Sequence, residues 1–91
     1  MVFLDANVFL RHLGAPATPV DAERGALARA LFAEIRAGHR TATTSEVVLH
    51  EVCFALTAPK HYGHPASQVA TDVGTLIRYP GFRFPAGELD R

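Results

Sequence analysis

Val2-Phe3-Leu4-Asp5-Ala6-Asn7-Val8-Phe9-Leu10 sets two apolar triplets around a short polar break, almost at the start of the chain. The first triplet reads as a short strand buried on both faces, as at the centre of a parallel sheet. Asp5 follows it directly, and the second triplet opens a short helix. A strand that runs straight into a helix is the beginning of an α/β pattern.

Gly14 to Pro19 is rich in Gly, Pro and Ala and reads as loop. Thr18, Pro19 and Asp21 then supply a cap, a proline for the first helical position and an acid for the first turn. Val20, Leu27, Leu31 and Ile35 recur at helical spacing beyond them, with Ala28 and Phe32 alongside, until Gly38 stops the helix. Arg40 to Thr43 is a candidate short strand. Thr43 or Ser45 caps the next helix, Thr43 forming a capping box with Glu46, and that helix runs from about Glu46 to Thr57, before Pro59. His61 to Pro65 reads as loop, with Pro65 at the first position of a helix carrying Val69, Val73, Leu76 and Ile77. Tyr79-Pro80-Gly81 breaks it, and Phe82-Arg83-Phe84 suggests a third strand. Glu88-Leu89-Asp90 resembles the start of another helix with nothing left to complete it, so the sequence reads as cut off.

The 91 residues amount to one domain at most, with a thin core. A hydrophobic fraction of 48% against 20% charged argues for a folded chain rather than a disordered one. Nine basic and nine acidic residues cancel, so net charge points to neither nucleic acid nor membrane and leaves local patches open. Cys53 is the only cysteine, which excludes an internal disulfide and suits a reducing, cytoplasmic setting. The amino terminus lacks the basic region of a signal peptide, and no apolar run approaches the roughly 20 residues that span a bilayer.

Two acids stand out. Asp5 lies at the carboxyl end of a strand, where open α/β sheets bind ligands, although aspartate is also common in turns at that place. Glu51 has Val47, Val48, Phe54 and Ala55 three and four residues away, so it is expected to project from a buried helix face. A carboxylate there must be neutralised, paired or bound to a metal, unless it sits at the edge of the stripe with its head in water. Asn7 either hydrogen-bonds a ligand or organises its own turn. Glu46 is explained by capping, and Glu34, Glu23 and Asp72 by solvated faces. His50-Glu51 begins the zinc-protease pattern, but Phe54 occupies the place of its second histidine. Cys53, His61 and His64 form only a loose zinc-ligand set, weaker than a core cysteine and two exposed loop histidines.

Taken together, the segment from Val2 to Leu10, the helix stop at Gly38 and Thr43-Thr44-Ser45-Glu46-Val47-Val48-Leu49-His50-Glu51-Val52 resemble the PIN domain. The likeness is greatest to VapC-like toxins of bacterial toxin–antitoxin modules. Tyr62, the helix through Ile77 and Tyr79-Pro80-Gly81-Phe82 follow the same order, so the resemblance spans the chain. It implies a three-layer α/β/α sandwich with a central parallel sheet, in which residues 1–91 form a PIN-like domain truncated before its C-terminal acidic segment. It also implies a metal-dependent endoribonuclease using Mg²⁺ or Mn²⁺. Asp5 and Glu51 would be metal ligands and Asn7 the polar companion of the first acid. The implied partners are RNA, a cognate antitoxin and a second copy in a homodimer, with no membrane. Family members carry further C-terminal aspartates, and Asp90 lies too early to match one. The resemblance therefore leaves a second expectation: a catalytically incomplete fragment that keeps an antitoxin-binding or dimerising surface. A phosphatase of the haloacid dehalogenase type also has Asp after its first strand but needs a second Asp where Asn7 stands.

Overall fold

The computed structural model describes residues 1–14 and 18–84. In chain order these form β1 (Val2–Phe3), α1 (Ala6–Leu13), α2 (Pro19–Arg36), β2 (Ala42–Thr43), α3 (Glu46–Thr57) and α4 (Ala66–Ile77). The helix start expected at Glu88 to Asp90 lies outside the described residues.

Local chemistry sets these boundaries. Asp5 caps α1 by accepting the Val8 N–H at 3.3 Å. Thr18 caps α2 through the Asp21 N–H at 3.1 Å, with Pro19 just behind it. Ser45, the second of the two residues expected for the role, caps α3 through the Val48 N–H at 3.2 Å. α2 ends in a paired carbonyl closure: Gly38 N–H donates to Ile35 O and His39 N–H to Glu34 O. Gly38 has φ +79, where a side chain would be strained, which is why glycine stands at this exit. Pro65 sits one residue earlier than expected, as the cap of α4 rather than its first residue.

The expected three-layer sandwich is not what the chain forms. β1 and β2 pair in parallel, Val2 beside Ala42 and Phe3 beside Thr43, and they make a two-stranded sheet. The expected third strand at Phe82–Phe84 shrinks to one parallel bridge between Ala42 and Phe82. Strands of two residues extend only about 7 Å. Such a sheet cannot separate two helical layers, and the described residues form a small, mostly helical protein instead.

Helices supply most of the core: Phe9 from α1, Phe32 and Ile35 from α2, Val52 and Leu56 from α3, Val69, Val73 and Leu76 from α4. Leu4, just after β1, and Ala42 of β2 join it, and Phe9 lies 5.5 Å from Phe32 and 6.4 Å from Phe82, ring centre to ring centre. β1 is not buried on both faces, because Phe3 is 57% exposed at the sheet edge. On α2 the buried stripe is Gly25, Ala28, Phe32 and Ile35, while Val20 and Leu27 face solvent. Gly25 explains the shift. A Cβ there would stand 3.1 Å from the Arg11 carbonyl, so the glycine lets α1 approach along that side of α2.

Candidate functional site

The parallel pairing brings two strand ends together. Leu4 N–H donates to Thr43 O at 2.8 Å, and the buried Thr44 hydroxyl donates back to Leu4 O at 2.7 Å. Beyond this clasp the chain leaves the sheet twice in the same manner. Asp5 (φ −86, ψ 177) and Ser45 (φ −118, ψ 159) are both extended, and each caps the helix that follows. The N-termini of α1 and α3 therefore open at one sheet edge, where unpaired N–H groups and helix dipoles favour negative charge. α1 and α3 also pack against each other.

Asp5 is exposed at this edge. One of its oxygens holds the cap, and the carboxylate keeps lone pairs for a further partner. Asn7 is exposed in the first turn of α1, but positions two apart on a helical turn do not face each other, so it makes no pair with Asp5. Thr44 contributes structure rather than a free donor, since its hydroxyl proton is given to the Leu4 carbonyl.

Glu51 stands on the second turn of α3, about 7.5 Å along the axis from Glu46. The expectation that it projects from a buried face is overturned. Glu51 is exposed, and of its four apolar neighbours Val47 and Phe54 are 77% and 74% exposed. The face of α3 that packs inward carries Val52 and Leu56, with Val48, Leu49 and Cys53 at its margins. Water solvates Glu51, so burial no longer demands a counter-charge or a metal beside it. Its candidacy rests on its place on α3, the helix that shares the edge with Asp5.

Among the described residues, no group of three or more His, Cys, Asp or Glu is placed to hold a metal ion. Asp5 and Glu51 remain as a two-carboxylate candidate. Their oxygens suit a hard cation, and Mg²⁺ commonly binds through one or two carboxylates, several retained waters and substrate phosphate. The zinc alternative has no support in the arrangement. Cys53 packs against the core, where burial pushes its thiol up, His61 is exposed, and His64 lies edge-on to Tyr62.

One group escaped the sequence reading. His12, in the last turn of α1, packs on Phe32 with ring centres 4.5 Å apart and the rings tilted by 31°, and its Nδ1 is buried without a hydrogen-bond partner. Burial lowers its pKa, and the nearby Arg29 charge lowers it further. The sequence signal was faint: a histidine among apolar residues, facing a helix whose arginines at 29 and 36 have no acid three or four residues away.

No helix among the described residues is long and apolar enough to cross a membrane. No family model, curated protein or solved structure matches this chain.

Proposed function

We propose that the protein is a divalent-metal-dependent endoribonuclease, with Asp5 and Glu51 as metal ligands and Asn7 as a polar contact to substrate. The observation that carries the reading is the clasped pair of parallel strand ends, which leaves an exposed carboxylate where two helix N-termini open. That edge suits a phosphodiester: the helix ends offer N–H groups to phosphate oxygens, and Asp5 offers oxygens to a cation. A bound Mg²⁺ or Mn²⁺ would supply a water activated for attack on phosphorus. Asp5 accepts the Val8 N–H through one oxygen, which leaves the other oxygen of the carboxylate for a cation. By the resemblance to PIN toxins, RNA is the substrate, a cognate antitoxin the inhibitor and a homodimer the assembly.

RNA hydrolysis in Mn²⁺ tests this reading. Asp5→Asn keeps a competent helix cap but removes the charge. Cleavage is expected to fall on the order of 100-fold in Asp5→Asn, the scale on which loss of a transition-state charge partner is felt. Equal rates in the parent and Asp5→Asn would contradict it.

A binding role without catalysis is the second reading. It is favoured by Val47 and Phe54, large apolar side chains left in solvent on either side of Glu51. An RNA-inert parent protein whose partner binding is lost in Phe54→Ser is the result that reading requires.

A further inference from the structure

At the C-terminal end of α1, away from Asp5, a cleft of about 380 Å³ opens between α1, α2 and the segment after α4. Arg29 and Arg36 line it from α2, His12 from α1 and Tyr79 from beyond α4, with Phe32 among its apolar walls. The two arginines are seven residues apart, two helical turns or about 10.5 Å along one face, so their long side chains flank the opening. Neither has an acid three or four positions away, and the salt bridge of this region joins Arg40 to Glu34 instead. Among the described residues no carboxylate lies within ion-pair distance of Arg29 or Arg36.

The charge balance is positive even after the helix ends are counted. The C-termini of α1 and α2 contribute roughly half a negative charge each, against two guanidinium charges, so about one positive charge is left over. His12 adds a hydrogen-bonding group. With Nδ1 enclosed and unpartnered, the cheaper neutral tautomer carries its proton on Nε2, which is not enclosed and remains a donor. Two planar guanidinium forks, an imidazole donor and a phenol match the oxygens of a phosphate better than a single carboxylate, which one arginine would satisfy. The cleft volume falls in the range of small-molecule sites, and the His12 and Tyr79 rings, with Ala33 and Ala37, give it apolar surface that a bare anion would not use.

We propose that this cleft binds a phosphate monoester of nucleotide size, its phosphate between Arg29 and Arg36 and its organic portion against the rings of His12 and Tyr79. The site is separate from the Asp5 edge and does not depend on the ribonuclease reading.

Calorimetric titration of the whole protein with adenosine 5′-monophosphate, adenosine and inorganic phosphate tests it. Adenosine monophosphate is expected to bind with a dissociation constant below about 1 mM. Adenosine and inorganic phosphate are each expected to bind at least about tenfold more weakly, a difference of about 1.4 kcal/mol. Arg29→Gln and Arg36→Gln lie on the exposed side of α2 and should fold normally, and each is expected to weaken the nucleotide about tenfold or more. Absence of nucleotide binding, or binding unchanged in both glutamine variants, overturns the proposal. Inorganic phosphate binding as tightly as the nucleotide overturns the organic half of it. Adenosine binding as tightly as its phosphate overturns the phosphate half.

Discussion

Phe9→Ala is expected to remove about 3–5 kcal/mol of folding stability. Phe9 is fully buried at the junction of α1, α2 and the bridge residue Phe82, and its ring meets those of Phe32 and Phe82. Truncation to Ala loses the transfer energy of the ring and leaves a cavity that three separate elements must close together. A chain of this size has roughly 5–14 kcal/mol in total, so the variant gives up a large share of it. Thermal unfolding should show a midpoint lower by about 12 °C or more. Phe54→Ala, at a side chain 74% exposed, is the matched control and should stay within about 0.5 kcal/mol of the parent. A similar loss in both variants would mean that α3 turns a different face to the core.

Gly81→Ala is expected to cost about 3 kcal/mol, the upper part of the range for overpacking. A Cβ at Gly81 would be driven into the carbonyl oxygens of Arg40 and Ile35, and 3.0 Å from the Ile35 side chain. Backbone oxygens cannot rotate away as a side chain does. Gly81 N–H also donates to Ile35 O at 2.9 Å, and Gly81 O accepts from Ala42 N–H at 2.9 Å. Relief of the clash therefore breaks the link between the end of α2 and β2. Gly74→Ala is the opposite case, because its Cβ would meet only the flexible Arg78 side chain and α4 gains helix propensity. That variant should be neutral or more stable by about 0.5–1 kcal/mol. Chemical denaturation of the two variants side by side separates a steric effect from any general intolerance of alanine.

Helix boundaries were legible wherever one residue carries the signal. Ser45 and Pro59 bracket α3, and the range Glu46 to Thr57 follows from them. Thr18, Pro19 and Gly38 do the same for α2. Faces were harder to read. Between Val47 and Leu56, α3 is apolar on nearly every side, so periodicity cannot say which side turns inward. Packing decides it, and the decision leaves Val47, Glu51 and Phe54 in water. On α2 the stripe shifted because a glycine permits close approach, a contact that hydrophobicity does not register.

The sheet was over-read for a related reason. Val2 to Leu4 and Phe82 to Phe84 have strand composition, but Asp5 turns the chain into α1 at once and β2 offers only two residues to pair with. Sequence singled out Asp5 through its place after a strand, and the structure adds the clasp from Thr44 to Leu4 that holds this strand end. The basic cleft needs α1, α2 and the segment after α4 at once, and no local pattern announces such an assembly.

The proposed metal site requires Asp5 and Glu51 to serve one cation at the edge where α1 and α3 begin. Paramagnetic broadening of backbone amide signals by substoichiometric Mn²⁺ tests it most directly. Selective broadening is expected at Asp5 to Asn7, at Thr44 and Ser45 and at Glu51, abolished together in Asp5→Asn. Broadening centred elsewhere, at His61 and His64 for example, or unchanged in Asp5→Asn, would contradict it.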